Sequence, residues 1–541
     1  MSKEYSLLIK NGRIIDGNNT PAFSGDVLVK GDRIAEVGGP FSEEQADEVI
    51  DAAGNVVSPG LIDSHSHGDL DLLKNPRQDF DLCQGVTTEI VGLCGLGFVP
   101  LGKEQLEENM KYSAGLFGYD PALLDYDFSS FEGYMKEIRG AGINVAVAAT
   151  HNGARIAASG FYNREEDKER RLGAMGEILD EAMAAGCIGM STGLSYYPCA
   201  WADFDELVFL AKRLKAHDGA FLTHIRYPKK GEPESALNEI IRVGEKSQAR
   251  IHILHYRTKY PYDYGHPKRL LGKIKEANSR GCDITLETLP YLSGSTFIHT
   301  ILPGWAVEGG LERTLENLKD PALRARIIEE MQYLLGITVM GNGKPPRFGH
   351  VGGRPEYSGR LIRDVQAERG QELGELLLDL LVESGLDINY VGNEMEEDPE
   401  ISRILMEDTM SLLGDPLYLC GGDAMPYGEY PHPRTWGCYA KMLRLSREMG
   451  IPLESVIAKL TSHVSDRFRL DDIGRLEPGK RADIIIFDPD RVTDRSTFET
   501  PDLPARGMRF VIVGGKAALK DDEPTGTLNG TVIRKTGYEM K

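Results

Sequence analysis

The stretch SPGLIDSHSHGD, residues 58–69, closes a short apolar run with two histidines, His65 and His67. Alternate residues on a strand point to the same side, so both imidazole rings face one point. Two rings placed in this way can bind a single metal ion. The pattern therefore predicts a buried strand that ends in a metal site.

Seven further segments of strand length follow in the middle of the chain, and amphipathic helical patterns lie between several of them. These segments are VTTEIVGLCG (86–95), INVAVAATHN (143–152), CIGMSTG (187–193), AFLTHIR (220–226), RIHILHYR (250–257), DITLETLPY (283–291) and PLYLCGGDA (416–424). Near-continuous apolar strands that alternate with helices are typical of a parallel sheet covered by helices. Eight such units predict an α/β fold, a (β/α)8 TIM-like barrel over residues 58–469, with a doubly wound open sheet as the alternative.

Short alternating strands with turn signals occupy both ends of the chain. Residues 1–57 and 470–541 are therefore expected to pair into one small β-domain of the sandwich type. The connection between the seventh and eighth strands is far longer than an ordinary crossover. Its Gly/Pro-rich part, about residues 298–362, predicts an inserted, lid-like subdomain.

Composition restricts the partners and the compartment. The net charge is −21 and the pI is near 5.1, which disfavours nucleic acid and anionic membranes as partners. The seven cysteines contain no CxxC pair, and no run of 18 apolar residues occurs. The start, MSKEYSLLIKNGR, lacks the apolar core of a signal peptide. We therefore expect a cytoplasmic protein, and we make no prediction of its oligomeric state.

Polar side chains follow most of the predicted strands at the point where each strand ends. In a barrel these positions meet at one face, where active sites lie. They are Asp63, His65, His67, Cys94, His151, His224, His255, Tyr291 and Asp423. Imidazole and thiolate ligands favour zinc among the common divalent ions. Asp423 can bind a metal ion and can also carry a proton.

At this point the chain resembles a known family. The motifs SPGLIDSHSHGD, GVTTEIVGLCG, GCIGMSTGLSYYP, THIR, HILHYR, LPYLSGST, GGDAMPYGEYPHPRTWG and PDRVTDRSTFETP are similar to those of the N-acyl-D-amino-acid deacylases (D-aminoacylases) of the amidohydrolase superfamily. The resemblance implies zinc-dependent hydrolysis of the amide bond of N-acyl-D-amino acids, with release of a carboxylate and a D-amino acid. Such a substrate is a small molecule.

The same resemblance implies roles for individual residues. Cys94, His224 and His255 match the ligands of a tightly bound zinc ion. His65, His67 and Asp423 match a second, weaker divalent site, and Asp423 also matches the catalytic proton carrier. The implied substrate-binding residues are Arg257, Tyr291, Ser295, Arg434 and His151. The chain departs from the usual deacylase pattern at Tyr256 and Arg257, where His and Lys are common, and this affects the substrate rather than the metal.

Two other functions remain open from the sequence. A cyclic amide hydrolase, similar to dihydroorotase or hydantoinase, would use the same metal ligands, but YLSGST and PHPRTW favour the deacylase. A non-catalytic scaffold on the same barrel would be expected to have lost ligands, and every expected ligand is present.

Overall fold

Eight parallel strands form a closed barrel in the computed structural model, which describes residues 3–339, 346–392 and 398–538. In chain order they are Leu61–Asp63, Val86–Val91, Asn144–Val147 continued by Ala149–Thr150, Gly189–Gly193, Ala220–His224, Arg250–Ile253, Asp283–Thr288 and Tyr418–Cys420. Each strand pairs in parallel with the next one along the chain. A parallel bridge between Ser66 and Ala424 closes the ring. The predicted barrel and its eight strands are confirmed.

The barrel strands are buried on both faces, which explains their apolar composition. Val86–Val91 and Gly189–Gly193, for example, are buried at every position. Helices cover the outside and bury one apolar face each against the strands. Asp203 caps one of them, because its side chain accepts a hydrogen bond from the backbone of Glu206.

The helices that surround the barrel vary in length from one turn to nearly five. They are Asp71–Lys74, Asp79–Leu82, Lys103–Tyr112, Ala114–Phe117, Phe131–Glu137, His151–Ser159, Lys168–Ala184, Phe204–Ala216, Ser235–Ser247, Pro267–Ser279, Pro399–Gly414, Arg434–Glu448, Leu453–Leu460 and Ser462–Phe468.

Strands from both ends of the chain form one nine-stranded sheet beside the barrel. They are Tyr5–Ile14, Phe23–Lys30, Arg33–Gly38, Ala46–Asp51, Val56–Pro59, Ile484–Phe487, Met508–Val513, Lys516–Lys520 and Glu523–Pro524. The antiparallel pair Val56–Pro59 and Ile484–Phe487 joins the two halves. Residues 1–2 and 539–541 of the predicted end segments lie outside the described residues. The predicted boundaries of a separate domain stay a prediction.

An additional unit lies between the seventh and eighth barrel strands. Its three antiparallel strands are Ser295–Phe297, Arg347–Val351 and Ile388–Val391, and its helices are Gly304–Val307, Gly310–Lys319, Pro321–Ile337, Ile362–Arg369 and Leu373–Ser384. These elements continue to Val391, beyond the expected end near residue 362, because the last strand pairs with both of the others. Residues 340–345 of the expected segment lie outside the described residues.

Among the helices that the structure describes, none combines the length and apolar composition needed to span a bilayer.

Candidate metal centre

Six of the predicted residues lie at the carboxyl-terminal ends of the barrel strands and approach one another. They are His65, His67, Cys94, His224, His255 and Asp423. Three of them, Cys94, His255 and Asp423, have left-handed backbones, with φ of +53°, +35° and +50°. This conformation is uncommon for residues with a side chain, and strained backbone of this kind is enriched at active and binding sites.

Cys94 lies at the centre of the group. Its Sγ is 3.4 Å from His65 Nε2, 3.4 Å from His255 Nε2 and 3.7 Å from His224 Nδ1. His224 Nδ1 and His255 Nε2 are 3.0 Å apart. On the other side, Asp423 Oδ1 is 3.5 Å from His65 Nε2 and 3.3 Å from His67 Nε2.

These distances define two overlapping groups of possible metal ligands. One comprises His65, His67 and Cys94, and the other Cys94, His224 and His255; within each, the ligand atoms lie within 4.8 Å of one another. Imidazole nitrogen and cysteine sulfur are donors that divalent transition metals prefer in proteins. The residues therefore fit a divalent metal centre in which Cys94 is shared by both groups.

Burial sets the protonation of several candidate ligands. Desolvation lowers the pKa of His255 to about 4 and that of His224 well below its usual value, so both rings are neutral at physiological pH. Neutral imidazole is the form that binds metals. Burial raises the pKa of the Cys94 thiol to about 11, although His65 opposes the rise. To act as a metal ligand, Cys94 would have to lose its proton.

Asp423 is held as a carboxylate. Burial alone would raise its pKa, but Arg434 and the neighbouring His65 outweigh burial and hold the pKa of Asp423 well below its usual range. Arg434 Nη1 lies 2.8 Å from Asp423 Oδ2, and Arg434 itself is buried. A buried ion pair of this kind fixes both the charge and the orientation of the carboxylate.

A cavity of about 410 Å³ opens in front of these residues. Five of the six residues line it, namely His67, Cys94, His224, His255 and Asp423, and so do the predicted substrate-binding residues Arg257, Ser295 and Arg434. Sequence reasoning missed the tyrosines Tyr196, Tyr227, Tyr260, Tyr262 and Tyr390, which also line it, together with Lys259. The tyrosines come from loops and from the inserted unit, where no periodic pattern marks them.

Two predicted substrate-binding residues lie elsewhere. His151 is the first residue of the helix His151–Ser159, and its ring contacts Thr192 at 2.8 Å and Glu206 at 2.9 Å. Tyr291 is buried, and its hydroxyl donates a hydrogen bond to the carbonyl of Pro433 at 3.4 Å. Neither belongs to the lining of the cavity. Although both residues follow barrel strands, their side chains point to other partners and not to the cavity.

A buried glutamate behind His65 was also missed. Glu287 lies within the seventh barrel strand, and its Oε1 is 2.5 Å from His65 Nδ1. His252 contacts the other oxygen of Glu287 at 3.2 Å. The available signal was a glutamate inside the predicted barrel strand DITLETLPY, since charged residues are rarely buried without a partner.

Comparison with known proteins agrees with this geometry. Residues 48–518 match the amidohydrolase family. The chain belongs to this family. A D-aminoacylase from Alcaligenes xylosoxydans xylosoxydans is 31% identical over 547 residues, which cover 99% of each protein. The relationship to this amidohydrolase extends over essentially the full length of both chains.

Two solved amidohydrolase structures are similar over nearly the whole chain. A D-aminoacylase studied for the role of its binuclear metal centre has a TM-score of 0.77 and 30% identity, over 98% of this chain and 100% of that one. The N-acyl-D-glutamate deacylase of Bordetella bronchiseptica, in complex with zinc and a phosphonate mimic of the tetrahedral intermediate, has a TM-score of 0.78 and 27% identity, with the same coverage.

Proposed function

We propose that this amidohydrolase uses zinc to hydrolyse the amide bond of N-acyl-D-amino acids. The observation that carries the proposal is the convergence of His65, His67, Cys94, His224, His255 and Asp423, all of which except His65 line one cavity. The full-length similarity to a D-aminoacylase supports the linear amide and the D configuration of the substrate.

In this proposal Cys94, His224 and His255 hold the tightly bound zinc ion, and His65, His67 and Asp423 form a second, weaker divalent site. The mixed nitrogen and sulfur donor set supports zinc over magnesium or calcium, which prefer oxygen. A bound divalent ion would polarise the amide carbonyl and make a water molecule easier to deprotonate.

Asp423 moves the proton in the proposed reaction. Its carboxylate is ionised, lies within 3.3 Å of His67 and faces the cavity, so it can accept a proton from the attacking water. It then returns that proton to the departing amine, which is a poor leaving group without it. Arg434 holds Asp423 ionised before the first step and keeps it oriented toward the cavity.

The substrate's α-carboxylate requires a cation in the cavity. We assign this role to Arg257, which lines the cavity after the end of the sixth strand, with Arg434 beside Asp423 in the same lining. The guanidinium of Arg257 also donates to the carbonyl of Leu292, which fixes its position. Arginine binds a carboxylate through two parallel hydrogen bonds and so fixes the orientation of the substrate. Ser295 also lines the cavity.

A substrate panel tests the proposal. The zinc-loaded protein is assayed with N-acetyl-D- and N-acetyl-L-amino acids, dihydroorotate and hydantoin. Cleavage of N-acetyl-D-amino acids with little or no cleavage of the L series supports it. Cleavage of only the cyclic amides would reject it. A zinc-loaded protein that cleaves nothing in the panel would favour a non-catalytic scaffold on the same barrel.

A further inference from the structure

A chain of buried polar contacts leads away from the metal centre into the barrel interior. His65 Nε2 faces Cys94 and Asp423, while its Nδ1 lies 2.5 Å from Glu287 Oε1. The opposite oxygen of Glu287 accepts a hydrogen bond from Ser64 Oγ at 2.7 Å and lies 3.2 Å from His252 Nε2. His252 Nδ1 in turn lies 2.8 Å from Thr285 Oγ1.

The contact between Glu287 and His65 is closely packed. Glu287 is only 1% exposed and His65 is fully buried. A Cβ atom on Gly421 would lie 2.8 Å from the Glu287 carboxylate and 2.8 Å from His65 Cβ. Glycine at residue 421 therefore leaves the space that this contact occupies.

We propose that Glu287 is a positioning residue for the metal centre, which holds His65 with its Nδ1 proton toward the carboxylate and its Nε2 lone pair toward the metal. Ser64 and His252 fix Glu287 in the matching orientation. A carboxylate behind a histidine ligand sets the tautomer of the ring and raises its basicity, and such partners commonly change metal affinity 10- to 100-fold. The inference rests on the proposed metal centre but not on its substrate.

The position of Glu287 predicts an effect on one of the two ligand groups only. Glu287 contacts His65, which belongs with His67 and Cys94, and it has no hydrogen bond or ion pair with His224 or His255 among the described residues. A general loss of stability would weaken metal binding by both groups alike. Loss of the Glu287 contact that sets the tautomer of His65 would weaken metal binding by the group that contains His65.

Zinc binding to the metal-free protein, measured by competition with a chelator of known affinity, tests this role. In Glu287→Gln we expect the weaker class of zinc sites to lose about 10- to 100-fold in affinity while the tighter class is retained. Glu287→Asp keeps the charge and should recover part of the loss. Glu206→Gln is the matched control, because Glu206 is an equally buried carboxylate that pairs with a histidine, His151, away from the ligands.

Wild-type affinity at both classes of site in Glu287→Gln would overturn the role, and so would an equal loss at both. Circular dichroism of the metal-free variant reports whether it folds. If Glu287→Gln does not fold, His252→Gln replaces it, with a several-fold loss expected at the same class of site; a folded His252→Gln with wild-type affinity would then overturn the role. Because zinc binding is measured without substrate, failure here is distinct from failure of the proposed activity.

Discussion

The guanidinium of Arg434 lies 2.8 Å from the carboxylate of Asp423, and both side chains are buried at the edge of the metal centre. Arg434 begins the helix Arg434–Glu448, which follows the last barrel strand, so one short segment supplies both the proposed proton carrier and the cation beside it. The pair explains how a carboxylate stays ionised in a site where burial alone would favour the protonated form.

Removal of the cation should change the acidic limb of the pH–rate profile. Since Arg434 lowers the pKa of Asp423, activity that needs the ionised carboxylate will be lost at a higher pH in Arg434→Met than in the wild type. Arg444→Met is the control. Arg444 lies on the same helix as Arg434 but does not line the cavity, and it pairs with Asp494 at 2.6 Å. An acidic limb that is identical in Arg434→Met and the wild type would contradict this dependence.

Replacement of Asp423 itself should separate chemistry from metal content. Asp423→Asn keeps the size of the side chain and one oxygen, and Cys94, His224 and His255 are untouched, so we expect the tight zinc site to stay filled. Loss of the proton carrier should reduce kcat about 10²- to 10⁴-fold. Metal analysis and steady-state kinetics on the same sample provide the check, and near-normal turnover would remove Asp423 from the mechanism.

Arg257 should act on substrates that carry an α-carboxylate. Loss of one charge-assisted contact costs about 1.5 to 3 kcal/mol, so Arg257→Met should lower kcat/KM about 10- to 100-fold. An N-acetyl-D-amino acid carboxamide, which lacks the charge, is the control substrate. The wild type and Arg257→Met should cleave it at similar rates. If the variant loses as much on the carboxamide as on the acid, Arg257 does not bind the carboxylate.

Zinc affinity should rise with pH. Burial raises the pKa of Cys94 to about 11, whereas His255, with a pKa of about 4, is already neutral at physiological pH. Metal binding therefore releases at least the thiol proton, and affinity should increase about tenfold for each pH unit in the range where Cys94 is protonated. Chelator competition between pH 6.5 and 8.5 measures the slope. An affinity that does not change with pH would mean that Cys94 is not a thiolate ligand.

The contact between the inserted unit and the segment that follows Asp423 should be weaker at alkaline pH. His350 of this unit lies 2.6 Å from Glu429, in the segment that follows Asp423, and 3.2 Å from Asp387. Burial opposes the charged ring, but the two carboxylates outweigh burial and raise the pKa of His350. The ion pairs of His350 therefore contribute fully to stability below the pKa of the unfolded state, about 6.5. This contribution is lost as the pH rises through the higher pKa of His350 in the folded state.

Limited proteolysis of the inserted unit at pH 6 and pH 8.5 measures this change. We expect protection to weaken with pH in the wild type and to be low at both pH values in His350→Gln, with a difference on the order of 1 kcal/mol because Glu429 is partly exposed. His217→Gln, at an exposed histidine that contacts Asp180 outside this unit, should respond as the wild type does. The same protection at both pH values in the wild type would contradict the ion pairing.

The sequence predicted the barrel because the eight apolar strands are continuous and the helices between them are periodic. It also predicted His65, His67, Cys94, His224, His255 and Asp423 as one cluster, since parallel strands bring their carboxyl ends to one face. Their roles as ligands stay a prediction.

Other features depend on contacts that no local pattern encodes. His151 begins a helix and contacts Glu206 of the helix Phe204–Ala216, and Glu287 contacts His65 across the barrel, 222 residues away along the chain. The inserted unit extends to Val391 because strand pairing, which links distant segments, sets its boundary.

The most direct test of the account is stepwise zinc addition to the metal-free protein, with hydrolysis of N-acetyl-D- and N-acetyl-L-amino acids followed at each step. The account predicts that hydrolysis of the D substrate appears as the Cys94, His224 and His255 site fills, and that it is absent in His224→Ala. Full zinc occupancy without hydrolysis of any N-acyl-D-amino acid, or unchanged hydrolysis in His224→Ala, would contradict it.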